Sequence, residues 1–415
     1  MKRLIAIFSF VLFIFIASTA ANAGTLTFWH AFNDEQSKAL DSLISTYKEK
    51  NPSVDIQVRR FGSKGGLRAE LMSADANSLP DIAAIDSAWQ GEFLRDDKIL
   101  PVDDQILKSV RIALKMDTYA PLWKASVVDD KLWTLPFFAY NYALVYDVDA
   151  LAEKGIKAPP TNRNQIFNFA KKLTDEEKGI YGFYLPAGNN VEIAHVFNIF
   201  LAQISPEDQA IDVTGLDGVN AEKILYYFDD LLNTYKYAQC EDPAKSPMFI
   251  GNPEDVIKAY GKRTNLKAVN WAGKNKVGNT VLTSLALMKK ANPDPESAWF
   301  FMYYLTEFPQ LQKFVLASPV FPANKQVTLS PNYFEFLEKY PALRTYLTLM
   351  GKYPVKPAIE SHEHFIKMHG TAINKALIER KSIPACVRES MEVVNSLVKP
   401  SVAPSQPTGE NPNKY

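Results

Sequence analysis

The chain is short of cysteine, of any surplus of charge and of long apolar runs beyond its first residues. Two cysteines, Cys240 and Cys386, stand among 415 residues. In an exported chain they permit one disulfide, and the alternative is two separate thiols. Lys and Arg number 46 against 46 Asp and Glu, with no basic stripe, which excludes the electrostatic footprint of a nucleic-acid binder. No internal repeat occurs. There is no G-x-S-x-G elbow, no phosphate-cradling loop and no carboxylate pair singled out for glycoside hydrolysis. His362, Glu363, His364 and His369 lack the i, i+4 histidine spacing of H-E-x-x-H, so they read as a solvated helix start and not as metal ligands. Tyr226-Tyr227 and Tyr303-Tyr304 lie in amphipathic helices, where neighbours diverge and packing accounts for them.

The N-terminus carries what the rest lacks. Met1-Lys2-Arg3 is followed by an apolar stretch from Leu4 to Ala17, too short to span a bilayer comfortably, and by Ala21-Asn22-Ala23. That order predicts a signal peptide over 1–23, cleavage before Gly24 and export of a soluble protein to the periplasm. No cysteine stands at the junction to take a lipid. A mature chain of this length exceeds one ordinary core and predicts two domains.

Strands and helices then alternate, which argues for α/β layering. In "TLTFWHAFNDEQSKALDSLISTYKEKNPSVDIQV" an apolar strand runs into Trp29, His30 and Phe32. A helix follows, with Asp34 as its expected N-cap and Ala39, Leu40, Leu43, Ile44 and Tyr47 at helical spacing. Asn51-Pro52 stops it, and Val54, Ile56 and Val58 alternate as a second strand. "PDIAAID" reads as a buried strand opening at Asp86, "TLPFFAYNYALVYD" as a long extended run, and the Pro-, Ser- and Asn-rich tail 400–415 as flexible.

Taken in order, "TFWHAF", "YKEKNPSVDIQV", "LPDIAAIDSAW", "LWTLPFFAYNYALVYDVDALAEKGIKAPPTNRNQIFNFAKKL", "YGFYLP", "NPDPESAWFFMYYLTEFPQLQKFV" and "FPANK" resemble a known family. It is the extracellular solute-binding proteins of ATP-driven sugar importers, the group containing maltose- and glycerol-3-phosphate-binding proteins. The span from Gly251 to Thr280 departs from the family pattern by being shortened, with only Trp271 and Gly278 mapping onto it. The resemblance implies a two-lobe α/β periplasmic-binding-protein fold with a hinge crossed near Phe138–Tyr142, Val277–Leu282 and Phe321–Val327. Lobe I would comprise 24–138 plus 281–322, and lobe II 142–277 plus 327–399.

Ligand would then sit between the lobes, beyond strand carboxyl ends. Trp29 and His30 follow such an end, and aromatic faces stack on the C–H patches of sugars. Asp86 beside Trp89 suits a hydroxyl clamp, or else a helix cap. Phe61, Phe138, Tyr140, Asn189 and Trp271 complete the expected binding set. Cys240 and Cys386, both on the second lobe of this map, are expected to pair.

The expected function is non-enzymatic: capture of a carbohydrate or polyol by lobe closure and delivery to the membrane permease of an ABC importer. No cofactor, metal or nucleic acid enters, and the protein is expected to be a monomer. The alternatives are a sugar-phosphate or metal-ion ligand, or a secreted carbohydrate-active enzyme. For a phosphate, Arg59, Arg60, Lys64 and Arg68 are the cations near an expected contact loop.

Overall fold

In the computed structural model, residues 24–202, 204, 218–271, 280–352 and 362–397 are described. The expected signal segment 1–23, Gly278 and the expected flexible tail 400–415 lie outside them. Leu26 and Phe28 alternate into the core from β1 (Gly24–His30), and α1 (Asp34–Lys50) follows with Leu40, Leu43 and Tyr47 buried. The cap of α1 is Asn33 instead of Asp34: its side chain accepts from Gln36 N and Gln36 returns the bond, a closed capping box. Then come β2 (Val54–Arg60), α2 (Lys64–Ser73), β3 (Ile82–Asp86), α3 (Gln90–Arg95), β4 (Ile99–Leu100), α4 (Lys108–Asp117), α5 (Ala120–Ser126), the ribbon β5 (Val127–Val128) and β6 (Lys131–Leu132), and β7 (Thr134–Tyr140).

Asn141 and Tyr142 carry the chain into a second sheet through β8 (Ala143–Asp147). That part adds α6 (Val148–Glu153), α7 (Arg163–Leu173), β9 (Phe183–Tyr184), α8 (Asn190–Ala202), α9 (Gly218–Asp229), β10 (Ala238–Gln239), β11 (Met248–Gly251), α10 (Pro253–Tyr260) and β12 (Leu266–Val269). The chain returns to the first sheet in β13 (Val281–Met288), followed by α11 (Pro295–Thr306), α12 (Phe308–Ala317) and β14 (Phe321–Pro322). It continues through α13 (Lys325–Thr328), α14 (Pro331–Lys339), α15 (Leu343–Lys352), α16 (His362–Leu377) and α17 (Ile383–Leu397).

The first sheet has the order β14-β7-β13-β3-β1-β2, with β4 beside β13, and the second β10-β9-β11-β8-β12. β1 pairs in parallel with β2 and β3, whereas β13 runs antiparallel between β3 and β7. Every residue of β13 and of β8 is buried, as expected of strands covered on both faces. Leu26, Phe28 and Ile82 pack under α1, α11 and α12, while Ala83, Ile85 and Trp29 meet Leu67, Leu71 and Phe93 of α2 and α3 on the opposite face. In the second sheet Leu144, Met248 and Ile250 face α7, α8, α9, α16 and α17.

The other face of the second sheet, with Val145, Phe249 and Ala268, joins the core of the first. α15 makes that join. Asn141 Nδ2 donates to Tyr346 O at 2.9 Å, Tyr346 Oη to Gly251 O at 2.8 Å, and Thr345 Oγ1 to Ala268 O at 2.9 Å. α13 and α14 stay on the first-lobe side: Tyr119 Oη lies 2.9 Å from Thr328 Oγ1, and Gln312 Nε2 donates to Ser330 Oγ at 2.6 Å.

The expected disulfide is absent. Cys240 is a half-buried free thiol after β10, and Cys386 a buried free thiol on α17, each held by apolar neighbours of the second-lobe core. Burial pushes both thiols upward. Titration of denatured, unreduced protein is therefore expected to find two thiols, and finding none would restore the bond.

Candidate functional site

Both sheets direct side chains to the link Asn141–Tyr142. From the first lobe, Ser63 caps α2 by accepting from Gly66 N at 3.1 Å, which sets Lys64 at the first helical position. Asp86 ends β3, where one carboxylate oxygen accepts from Ala88 N at 3.1 Å and the other from Lys64 Nζ at 3.3 Å. The same ammonium stands 5.3 Å from the centroid of the Tyr140 ring, within cation–π range. Tyr140 is half-buried and packs edge-on against Tyr142 at 6.1 Å, and the far face of Tyr142 stacks on His195 at 4.9 Å.

The second lobe contributes carboxyls from two helix starts. Asn189 caps α8, accepting from Val191 N at 3.1 Å and Glu192 N at 3.2 Å, and so fixes Glu192 in the first turn. Asn252 caps α10, with Asp255 closing the box through Asn252 N at 3.1 Å. Asn252 Nδ2 also donates to Glu192 Oε1 at 3.4 Å. Burial, and then the neighbouring Asp255, raises Glu192 from 4.5 to about 7. Burial raises Asp255 from 3.8 to about 6. Tyr140 is pushed up to about 12 by burial against the opposing pull of Lys64, and Tyr142 and Tyr184 are raised by burial beside the same carboxyls.

The Tyr142 hydroxyl is buried and has no partner of hydrogen-bonding geometry, although the Glu192 carboxyl is the charge acting most strongly on it. α16 runs along α8 and against the Ser87–Trp89 turn, so the second lobe meets the first on this side as well. The result is a half-buried cluster of three carboxyls, three tyrosines and one ammonium drawn from both sheets. Such a cluster can bind hydroxyls or amines and stack on apolar ring faces. Among the described residues no group of His, Cys, Asp and Glu is arranged to hold a metal ion.

The expected binding residues divide sharply. Asp86 and Tyr140 enter the cluster, and Asn189 borders it with its side chain committed to the α8 cap. Trp29 and Phe61 sit apart, 5.4 Å from each other, under the Arg59 guanidinium at 4.7 and 4.6 Å. His30 is withdrawn into the core at 1% exposure. It stacks on Phe32 at 4.5 Å and its Nδ1 accepts from Phe32 N; burial and Arg60 lower it from 6.5 to about 4. Trp89 is 2% exposed against Phe93, Phe138 belongs to the cluster with Phe32 and Phe314, and Trp271 packs on Phe200 at 4.5 Å. These four are core residues, because their strands and turns face helices on the side where the reading placed a cleft. Tyr142, Glu192 and Asp255 were not among the expected binding residues, and Lys64 was named only as a cation near a contact loop.

Residues 42–345 match the family described as bacterial extracellular solute-binding protein. The chain is 23% identical over 323 residues to the Escherichia coli K12 protein described as the putative ABC transporter periplasmic-binding protein YcjN, covering 73% of this chain and 74% of the relative. It is 25% identical over 164 residues to the sn-glycerol-3-phosphate-binding periplasmic protein UgpB of E. coli O1:K1, 38% of this chain and 37% of that relative. The chain thus spans little more than a third of the length of that relative. Among solved structures, maltose-bound MalE3 of T. maritima superimposes with a TM-score of 0.72 at 14% identity, covering 90% of this chain and all of the other. UgpB from Mycobacterium tuberculosis in complex with glycerophosphocholine gives 0.72 at 14% identity, with 90% and 98% covered. At these identities the structural likeness establishes the two-lobe periplasmic-binding-protein fold.

Proposed function

This chain belongs to the bacterial extracellular solute-binding proteins, and from that premise we propose that it captures a carbohydrate or polyol between its lobes and hands it to the permease of an ABC importer. Its place of work is the periplasm after removal of 1–23, and it acts as a monomer without bond chemistry. Among the described residues no helix is long and apolar enough to cross a membrane. Closure about the Asn141–Tyr142 link would bring Glu192 and Asp255 onto a solute already held by Asp86 and Tyr140. The solute then shifts the population toward the closed form by contacting both walls.

The observation that carries this reading is the convergence of Lys64 and Asp86 from one sheet with Glu192 and Asp255 from the other around Tyr140 and Tyr142. A phosphate ligand is disfavoured by the state of the cations. Arg59 is bonded to Glu70 at 2.9 Å, Arg60 to Asp34 at 2.6 Å, Arg68 to Glu92, and Lys64 to Asp86. Freeing any of them would expose a carboxylate to the phosphate. Maltose-bound MalE3 supports a carbohydrate ligand, whereas the printed name of the sn-glycerol-3-phosphate-binding relative favours the phosphate alternative.

Asp86→Ala tests the first-lobe wall. Loss of a charge-assisted bond to a ligand hydroxyl removes roughly 1.5–3 kcal/mol, so the dissociation constant is expected to rise about tenfold to hundredfold. Loss of the Ala88 cap should also lower ligand-free stability by about 1 kcal/mol. Calorimetric titration with whichever neutral sugar stabilises the protein most reads both. Unchanged affinity with lowered stability would confine Asp86 to capping.

A further inference from the structure

The charge on the two walls is unequal, and it bears on what kind of solute fits, given the reading that the cleft takes a carbohydrate or polyol. Three carboxyls, Asp86, Glu192 and Asp255, surround the Tyr140–Tyr142 pair, and Lys64 is the cation that faces them. The Lys64 ammonium already shows what this environment accepts, seated 3.3 Å from the Asp86 carboxylate and 5.3 Å above the Tyr140 ring. On the second-lobe side Lys258 of the same helix acts on Asp255 and Lys64 acts on Glu192, each more weakly than burial. Glu192 accepts one long bond from the neutral Asn252 amide, and Asp255 is bonded to the Asn252 backbone. Beside Glu192 the Tyr142 hydroxyl, on a residue 2% exposed, meets no partner at full hydrogen-bonding geometry and leans on the Glu192 carboxyl alone.

We propose that the solute carries a protonated amine, as an amino sugar or amino-polyol does, and that its ammonium is received by Glu192 and the Tyr142 hydroxyl with Asp255 behind them. An ammonium has three donors and a full charge. It gives the buried hydroxyl an acceptor role and the carboxyl a counter-charge, both of which a neutral hydroxyl supplies only in part and an anion opposes. The raised values of Glu192 and Asp255, about 7 and about 6, agree with carboxyls whose burial the nearby Lys64 and Lys258 do not offset. The groups facing Glu192 are Asn252, Glu254 and Asp255 from α10, Tyr140 and Tyr142 from the link, Tyr184 from β9 and Lys64 from α2. Apart from Lys64 none supplies positive charge.

The test is calorimetric titration of the mature chain at pH 7.5 with matched probes: glucosamine, glucose and N-acetylglucosamine, then chitobiose, cellobiose and N,N′-diacetylchitobiose. The amine-bearing member of at least one set should bind tenfold or more tighter than its neutral partners. Glu192→Gln should bring the amine probe's affinity down to that of its neutral partner, and the parent's advantage should shrink from pH 6.5 to pH 5, a range in which the probe's amine stays protonated, as protons compete for Glu192. Equal or tighter binding of the neutral probe overturns the amine inference and leaves carbohydrate capture standing. Failure of every amine probe to bind overturns it too. If mass spectrometry of the protein as isolated then finds a solute that is neither carbohydrate nor polyol, the broader reading falls with it.

Discussion

Gly370→Ala is expected to destabilise the protein by about 3–5 kcal/mol, the upper range for a single added methyl group. Gly370 lies in α16 where that helix crosses the start of α8, and a Cβ built on it falls 1.7 Å from Asn190 O and 2.5 Å from Asn190 C. Those are backbone atoms, so no rotamer change relieves the clash and the helices must separate. Alanine's better helix propensity returns only about 1 kcal/mol. The contact matters beyond stability, because the start of α8 carries Glu192. Asn190 is also tied to α16 through Thr371 at 2.9 Å and Asn374 at 2.7 Å. Chemical denaturation should show the loss. Gly62→Ala, with no atom within 4 Å of its Cβ, should stay within about 0.5 kcal/mol of the parent. Equal stability of the two variants would mean that α8 and α16 do not approach as described.

The second large effect is a crossover in pH dependence. Glu192 binds its proton more tightly folded than unfolded, about 7 against 4.5. Its contribution is therefore fully present below pH 4.5 and is lost as pH rises through 7. A difference of that size corresponds to about 3 kcal/mol, which water at this half-buried site reduces to about 1–2 kcal/mol. Glu192→Gln should thus be more stable than the parent at pH 8 and converge with it near pH 4.5. His30 and His369 act in the opposite sense. Burial lowers each from 6.5 to about 4, so their contribution is present above 6.5 and is lost as pH falls through 4. In the parent the two trends oppose each other between about 6.5 and 4.5, and the variant, lacking the carboxyl, should lose stability steeply over that window. Denaturant unfolding at several pH values tests this, and parallel profiles for the two proteins would contradict it.

How far the sequence reveals this molecule differs between fold and site. β1, α1 and β2 are legible because alternation, helical spacing and the Asn51-Pro52 stop are local signals, and β7 and β8 appear as one extended run. The binding wall is another matter. Trp89 and Trp271 carry large rings at expected contact positions, yet both are core, since a ring suited to stacking on a sugar is equally suited to packing on Phe93 or Phe200. Glu192 and Asp255 occupy first turns after Asn189 and Asn252, where an acidic residue reads as ordinary capping and dipole chemistry. Their convergence arises from sheet order, which no short stretch encodes. Asp86 was weighed as clamp or cap; it caps Ala88 and holds Lys64 with separate oxygens.

The central claim is that a solute drawn between the two sheets closes them about the Asn141–Tyr142 link. Small-angle scattering tests it most directly, on protein stripped of ligand by unfolding and refolding and then saturated with the carbohydrate that most raises its melting temperature. A smaller radius of gyration in the saturated protein is the predicted result. An unchanged radius under saturation, or a panel in which no carbohydrate or polyol raises the melting temperature, would contradict the account.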